Sequence, residues 1–305
     1  MRVLVTGRDG QVAKSLLEKA AERPDVELLC VGRPELDLAR PATVFDSIRK
    51  LQPDIVVSAA AYTAVDQAED EPNLAHAINA QGAEAVAAAT RLIGIPVVHL
   101  STDYVFAGNS TLPYTEEDLP APCCVYGHSK LQGERLLTAA NPQHVILRTA
   151  WVYSPFGRNF VKTMLNLARH RESISVVADQ FGNPTSALDI ADAIYRVMDQ
   201  LHAQPASNVY GLYHLVSQGD TNWCDFAKAI FEVSSAQGGP MAEVVEIPTS
   251  EYPTKAKRPL NSRLSSKKFE ETFDLSLPDW RASLREVIEL LLAGSPTPAL
   301  KPNLT

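Results

Sequence analysis

The sequence has few cysteines and no long apolar run, and both absences restrict the class of protein. Its four cysteines are scattered over 305 residues without a CxxC pair, a usage typical of a reducing compartment. No apolar stretch approaches the ~20 residues that span a bilayer, and the segment before Gly7 is too short for a signal peptide. We therefore expect a soluble, cytoplasmic protein with no membrane partner.

Positive charge is also scarce, because 28 lysines and arginines are opposed by 36 acidic residues, which leaves a formal net charge of -8. A nucleic-acid partner would favour a basic stripe, so none is expected, and an anionic substrate would require a locally built basic pocket. The seven histidines show no metal-ligand spacing, and core or surface positions are expected for them. No metal ligand is therefore assigned.

Short apolar segments rich in β-branched residues alternate with helical patterns in the first half of the chain. These segments lack period-two alternation, which indicates strands buried on both faces of a parallel sheet. The order of elements predicts a Rossmann-type, doubly wound α/β fold. The predicted strands span residues 2–6, 27–31, 54–58, 96–101 and 145–148, and the predicted helices span 11–21, 42–51, 73–93 and 125–139.

Beyond residue 150 the elements become shorter, and prolines and serines interrupt them. A helix is predicted at 159–171, a strand at 173–178, a turn-rich loop at 179–185 and a further helix at 187–201. We predict that residues 1–150, joined by 186–215, form the larger domain. Residues 151–185 and 216–305 are predicted to form a smaller composite α/β lobe that closes over it, with a loose tail after Gly294.

A glycine-bearing turn, from Gly7 to Gly10, joins the first predicted strand to the first predicted helix. Such glycines let the backbone approach a pyrophosphate at the helix N-terminus, which makes the larger domain a candidate dinucleotide-binding domain; a plain tight turn is the alternative. The second strand is followed by Arg33 instead of the acidic residue that binds a ribose 2′-hydroxyl. NADPH is therefore predicted over NADH, unless Arg33 is only a solvated surface residue. Asp37 and Leu38 are expected near the adenine.

Polar residues are expected at the carboxyl end of the fourth strand, where open parallel sheets bind ligands. Thr102 and Asp103 follow that strand, and Tyr126 and Lys130 are four residues apart on one face of a predicted helix. We predict that the Lys130 ammonium lowers the pKa of the Tyr126 phenol and bonds the nicotinamide ribose. Thr102 is then expected to bond a substrate carbonyl, and Tyr126 to protonate the alkoxide formed by hydride transfer.

Five motifs, distributed over nearly the whole chain, carry a resemblance to a known family. They are AAAYTAVD at 59–66, STDYVF at 101–106, RTAWVY at 148–153, the loop at 179–185 and RPLNSRL at 258–264. By these motifs the chain resembles the dTDP-4-dehydrorhamnose reductases, a family of the extended short-chain dehydrogenases. The resemblance implies NAD(P)H-dependent reduction of the 4-keto group of dTDP-4-dehydro-L-rhamnose to dTDP-L-rhamnose, the last step of dTDP-rhamnose biosynthesis.

The same resemblance implies a set of site residues, matched motif by motif. A dinucleotide would contact Gly10, Gln11, Val12, Ala61, Tyr62 and Thr63, and a dTDP-sugar would contact Thr102, Asp103, Trp151, Asn183, Arg258 and Arg263. An arginine beside the substrate pyrophosphate would supply the local positive charge that the acidic chain lacks. A buried core position is the alternative for Trp151.

Two positions depart from the family pattern. Tyr62 stands where the family often has histidine, which affects the fit of the cofactor. Ser15 stands where some relatives carry a glutamate linked to a Mg²⁺-bridged dimer, and a serine is a weak Mg²⁺ ligand. A Mg²⁺ ion and a homodimer are therefore left open.

Two other functions are compatible with these residues. A nucleotide-sugar epimerase or dehydratase of the same superfamily would retain tightly bound NAD⁺, whereas a reductase releases its cofactor at each turnover. A non-catalytic NADP-binding regulatory subunit would not need Thr102, Tyr126 and Lys130, all of which are present. We therefore expect a reductase.

Overall fold

A computed structural model describes residues 1–203 and 209–294 of the chain. The tail that is expected to be loose after Gly294 lies outside the described residues. The described strands are β1 (Arg2–Thr6), β2 (Glu27–Val31), β3 (Ile55–Ser58), β4 (Val97–Thr102), β5 (His144–Thr149), β6 (Val152–Tyr153), β7 (Ser173–Val177), β8 (Phe181–Gly182), β9 (Thr185–Ser186), β10 (Gly211–His214), β11 (Thr221–Asn222) and β12 (Glu243–Ile247).

The described helices alternate with these strands through the first half of the chain. They are α1 (Gln11–Lys19), α2 (Pro41–Leu51), α3 (Val65–Ala68), α4 (Pro72–His76), α5 (Gly82–Leu92), α6 (Val125–Ala140), α7 (Phe160–Leu167), α8 (Ala187–Ala203), α9 (Trp223–Ala236), α10 (Lys267–Phe273) and α11 (Trp280–Leu292). Within residues 1–203 and 209–294, no helix is long and apolar enough to cross a membrane.

Among the described residues, six parallel strands form the main sheet, in the order β10-β5-β4-β3-β1-β2. β2 and β3 lie on opposite sides of β1, so the direction in which strands are added reverses at this point. Open parallel sheets leave a crevice at the carboxyl ends of the strands where this reversal occurs. The crevice is therefore expected beside the ends of β1 and β3.

The strands of the main sheet are buried on both faces, because helices cover each face. Val3 and Val5 pack in the layer that contains residues of α1 and α8. Leu4 lies in the opposite layer with Val44 of α2 and Val86 of α5. This double coverage explains why the strands lack alternating polarity, and the predicted Rossmann-type α/β fold is confirmed.

The helix predicted at 73–93 is instead two α-helices, α4 and α5, separated by a π-helical turn at Ala77–Gln81. Here α6 comes so close that a Cβ added at Gly133 would lie 2.1 Å from the Asn79 carbonyl oxygen. The Asn79 side chain also bonds both backbone groups of Tyr62. The π-helical turn therefore coincides with tertiary contacts that the local sequence pattern does not indicate.

In the described part of the second half, three two-stranded sheets build a smaller lobe, β7 with β12, β8 with β11 and β6 with β9. Helices α7, α9 and α11 enclose its core around Phe226 and Trp280. The chain also returns to the main sheet, since β10 pairs with β5 and α8 packs against α1. The division into a dinucleotide-binding domain and a substrate lobe stays a prediction that these placements support.

Candidate active site

The glycine turn lies at the carboxyl end of β1 and leaves the N-terminus of α1 open. Gly7 has a φ of +93°, which favours glycine, and its N–H donates to the Val31 carbonyl at 2.7 Å. Gly10 precedes α1 without a side-chain cap, and a Cβ added to it would meet no described atom within 4 Å. Both observations fit a pyrophosphate, which needs free N–H groups and space beside the backbone.

Gln11 and Val12, the first residues of α1, use their side chains within the protein. The Gln11 amide donates to the Val152 carbonyl at 3.2 Å and accepts hydrogen bonds from Ser154 and Asn159, each at 2.9 Å. The amide therefore ties the glycine turn to the second lobe. Val12 is buried in the layer beneath the main sheet. We expect both residues to meet a dinucleotide through their backbone groups.

Two arginines lie at the carboxyl end of β2, beside the glycine turn. Arg33 is exposed there, and a Cβ added at the adjacent Gly32 would lie 3.4 Å from the backbone nitrogen of Arg8. Arg8 forms an ion pair with Glu35 at 3.0 Å. The sequence analysis did not predict Arg8 as a cofactor-binding candidate, although Arg8 lies inside the glycine turn.

The side chains of Asp37 and Leu38 are hydrogen-bonded or packed within the protein. The Asp37 carboxylate accepts hydrogen bonds from the Ala39 N–H and from Arg40 Nε, both at 3.0 Å. Leu38 is buried against Gly82 at the start of α5. Their side chains are therefore engaged in the loop that precedes α2, and a contact with adenine would have to come from their backbone.

The loop after β3 is held beside the glycine turn. The Thr6 hydroxyl accepts two backbone N–H groups of this loop, at 3.1 and 3.0 Å. Asn79 bonds the N–H and the carbonyl of Tyr62 at 2.7 and 3.0 Å. Ala61, Tyr62 and Thr63 therefore lie at the edge of the sheet where the strand order reverses.

Thr102 and Asp103 lie at the end of β4 and are both buried. The Thr102 hydroxyl donates to Asp103 Oδ1 at 2.9 Å and accepts the Tyr104 N–H at 3.2 Å. The other carboxylate oxygen of Asp103 is buried without a hydrogen-bond partner in the described chain. Burial raises the pKa of Asp103 to about 6, although the Thr102 and Ser262 hydroxyls oppose the increase.

Tyr126 and Lys130 lie on the first two turns of α6, next to the end of β4. The Lys130 ammonium donates to the Leu100 carbonyl at 2.6 Å and lies 3.3 Å from Nε2 of His99. Burial lowers the pKa of Lys130 to about 8, and the Glu134 carboxylate opposes the decrease. The α6 helix therefore places an ammonium beside β4 and a phenol near Thr102.

The prediction that Lys130 makes Tyr126 more acidic is wrong for this structure. Burial raises the pKa of Tyr126, and the Thr102 hydroxyl opposes this effect only in part. The Lys130 ammonium is bonded to β4 instead of to the phenol. The Tyr126 phenol is consequently protonated at neutral pH, which suits a proton donor.

Trp151 lies in the second lobe with a backbone conformation that is unusual for a bulky residue, φ +47°. Its indole stacks on Trp223 with ring centroids 3.5 Å apart and donates to the Ser262 hydroxyl at 3.1 Å. A Cβ added at Gly182 would lie 2.4 Å from the same ring, so Gly182 provides its space. Trp223 is a second aromatic residue at this position, and the sequence prediction did not include it.

Arg258 brings the C-terminal part of the chain to the end of β4. Its guanidinium pairs with Asp66 at 2.8 Å and donates to the Tyr104 hydroxyl at 3.4 Å. The Tyr104 ring in turn makes an edge contact with Tyr126, with centroids 5.5 Å apart. Arg258 is therefore near the proposed proton donor, and Tyr104 joins the site as a residue the sequence prediction omitted.

Asn183 and Arg263, predicted as pocket residues, are used as connectors between loops. The buried Asn183 amide donates to the Gly219 carbonyl at 2.7 Å and accepts the Leu264 N–H at 2.9 Å. The Arg263 guanidinium donates to the Thr111 carbonyl at 2.7 Å and also bonds Asn261 and Asp220. Both side chains take part in these connections, and their role in the substrate pocket stays a prediction.

Ser15 is buried within α1, and its hydroxyl has no hydrogen-bond partner in the described chain. A hydroxyl that is fully buried cannot reach a metal ion at the surface. The residues present do not fit the Mg²⁺ site that some relatives place at this position.

The fold and the site together define a class of protein. A glycine turn at the reversal point of a parallel sheet, a threonine at the end of β4 and a Tyr-Lys pair on the next helix are typical of an oxidoreductase of the short-chain dehydrogenase type. The family model of the RmlD substrate binding domain matches residues 1–293. The chain belongs to this family.

Close relatives match nearly the whole chain. The dTDP-4-dehydrorhamnose reductase of Sinorhizobium fredii is 50% identical over 295 residues, which are 96% of this chain and 99% of the relative. The dTDP-4-dehydrorhamnose reductase of Escherichia coli K12 is 43% identical and covers 95% of this chain and 98% of its own. The resemblance stated from the sequence motifs is confirmed.

Solved structures agree with these relatives. The dTDP-4-dehydrorhamnose reductase of Bacillus anthracis in complex with NADP has a TM-score of 0.87 at 37% identity, over 94% of this chain and 98% of that one. The UDP-glucose 4-epimerase of Thermus thermophilus in complex with NAD has a TM-score of 0.76 at 20% identity, over 96% and 99% of the two chains. The second similarity shows the shared fold alone.

Proposed function

We propose that this chain reduces the 4-keto group of dTDP-4-dehydro-L-rhamnose with NADPH to form dTDP-L-rhamnose. The observation that carries the proposal is the gathering of Thr102, Tyr126 and Lys130 where β4 ends beside α6. The names of the relatives support the substrate, and the relative in complex with NADP supports the cofactor. The bound nicotinamide would supply the hydride.

The residues of the chain supply the remaining requirements of the reaction. The Thr102 hydroxyl lies near the Tyr126 phenol, so both can donate to one substrate carbonyl oxygen once the Thr102 hydroxyl turns from Asp103 Oδ1 to the substrate. Because burial raises the pKa of Tyr126, the phenol holds its proton until an alkoxide forms beside it. The Lys130 ammonium, enclosed at the same place, favours the negative charge that develops during reduction.

Arg258 can supply the local positive charge that a substrate pyrophosphate requires. The chain carries a net charge of -8, yet the substrate brings a pyrophosphate. Asp66 and Tyr104 bond the Arg258 guanidinium, the Tyr104 ring contacts Tyr126, and Nε of Arg258 is buried without a partner in the described chain. We propose Arg258 as a substrate-binding residue, because an anion would complete its hydrogen bonding.

The decisive experiment is an assay of NADPH oxidation with dTDP-4-dehydro-L-rhamnose. Tyr126→Phe removes the proton donor and is expected to lower kcat by about 10²-fold or more while NADPH still binds. Tyr252→Phe, at an exposed tyrosine, is the matched control and should leave kcat unchanged. A wild-type chain that holds NAD⁺ after purification and does not oxidise NADPH would instead indicate an epimerase or dehydratase.

A further inference from the structure

A buried chain of polar groups lies behind Lys130, on the side of α6 that packs against β4. The Lys130 ammonium is 3.3 Å from Nε2 of His99, and Nδ1 of the same ring is 3.0 Å from the Ser58 hydroxyl. Lys130, His99 and Ser58 are each at most 2% exposed. Ser58 of β3 and His99 of β4 are register partners in the main sheet, so the sheet fixes their spacing.

The bonding partners determine the protonation state of His99. An ammonium has N–H groups to donate and no acceptor, so Nε2 of His99 must be unprotonated to bond it. The ring proton then resides on Nδ1 and is donated to the Ser58 hydroxyl. Burial lowers the pKa of His99 well below its usual value, and the charge of Lys130 and the nearby His144 act in the same direction. A neutral ring is therefore the consistent state.

We propose that His99 is a positioning residue for the reduction, because its unprotonated Nε2 and the Leu100 carbonyl take two of the three N–H groups of Lys130. The third N–H is left for a partner in the crevice. This inference rests on the proposed function and deepens it. Ser58 acts through His99, since its hydroxyl keeps the ring proton on Nδ1.

Other charged groups around Lys130 do not replace this contact. Glu134 of α6 raises the pKa of Lys130 by its charge, but its carboxylate is bonded to Arg148 of β5 at 2.7 and 2.9 Å and to Ser101 of β4. His144 of β5 acts on His99 and is itself lowered in pKa by burial. His99 is thus the side chain that directly accepts from the Lys130 ammonium in the described residues.

The consequence is a shift in the pH dependence of the reaction. A hydrogen bond to the ammonium favours the protonated form of Lys130, so its loss lowers the pKa of this lysine. His99→Leu should move the high-pH decline of kcat to lower pH by about one unit, with a smaller effect on KM for NADPH. His99→Gln keeps an acceptor near the position of Nε2 and should restore the wild-type profile. Ser58→Ala should give a smaller shift in the same direction. It replaces His99→Leu as the test variant if His99→Leu does not fold.

A second readout separates this inference from the proposed function. The pKa of Lys130 can be measured by NMR on protein with isotope-labelled lysine side chains and no substrate, assigned by comparison with Lys130→Arg. We expect a lower pKa in His99→Leu and Ser58→Ala and recovery in His99→Gln. An unchanged Lys130 pKa, or variants that lose only thermal stability, would overturn the positioning role. Failure of the proposed function would show instead as a wild-type protein without reductase activity.

Discussion

Burial at the carboxyl edge of the main sheet changes the acidity of the side chains that surround the crevice. Burial raises the pKa of Asp103 to about 6 and that of Tyr126 as well, and it lowers the pKa of Lys130 to about 8. Each shift favours the neutral form, since a charge is costly to enclose. At this scale the chemistry depends on which groups are enclosed together, and less on their ordinary pKa values.

Arg33 leads to a prediction about the choice of cofactor. If its exposed guanidinium binds the 2′-phosphate, Arg33→Ala should lower kcat/KM for NADPH by about tenfold or more and leave kcat/KM for NADH nearly unchanged. Arg40→Ala, at an exposed arginine already paired with Asp37, is the matched control. Equal losses with both cofactors, or a wild-type preference for NADH, would exclude this role of Arg33.

Trp151 leads to a prediction about substrate binding. Trp151→Ala removes an indole that stacks on Trp223, and we expect KM for the sugar nucleotide to rise by about tenfold. Thermal unfolding of the same variant reports how much of the effect comes from the lobe core. An unchanged KM accompanied by a lower unfolding temperature would assign Trp151 to packing alone.

At the scale of elements, the N-terminus of α1 and the N-terminus of α7 are joined across the two lobes. Asn159 caps α7 by accepting the Lys162 N–H at 3.1 Å, and its amide also donates to Gln11 at 2.9 Å. The glycine turn, where we expect a dinucleotide to bind, is thereby supported from the second lobe. A helix cap and an inter-lobe contact are combined in one side chain.

Asn159→Ala should therefore have two effects. Loss of the cap should lower the free energy of unfolding by about 1–2 kcal/mol, and the loosened glycine turn should raise KM for NADPH. Asn222→Ala is the matched control, because Asn222 caps α9 through the Asp225 N–H at 2.8 Å without a bond to Gln11. It should lower stability to a similar extent and leave KM for NADPH unchanged; similar KM values in both variants would refute the inter-lobe effect.

At the scale of the whole molecule, buried titratable groups link stability to pH. Burial lowers the pKa of His99, His144 and His214, the last to about 3, so their contribution to stability is lost as pH falls below the ordinary value of 6.5. Asp103 and Asp189, with pKa values raised to about 6, act oppositely, because their contribution is lost as pH rises through 6. We expect the three histidines to outweigh the raised carboxyls, Glu116 included, so that stability is lower at pH 5 than at pH 7.

His214→Asn tests this linkage with a side chain that can still donate to the Tyr114 carbonyl. The difference in the free energy of unfolding between pH 7 and pH 5 should shrink by about 2 kcal/mol, because the unfolded chain no longer gains a proton at this position. His128→Asn, at an exposed histidine, should leave the difference as it is. Denaturant titrations at pH 7 and pH 5 measure this difference in the free energy of unfolding. The same difference in wild type and in His214→Asn would contradict the linkage.

The sequence by itself determined the parallel sheet, the glycine turn and the Tyr126–Lys130 spacing, because apolar periodicity and turn residues act over a few positions. Only the tertiary structure decided which polar atoms meet. It placed His99 beside Lys130 across 31 residues and Arg258 beside Tyr104 across 154, and it used Asn183 to connect loops. It also reversed the expected shift of the Tyr126 pKa, since that depends on enclosure by distant parts of the chain, which local spacing does not encode.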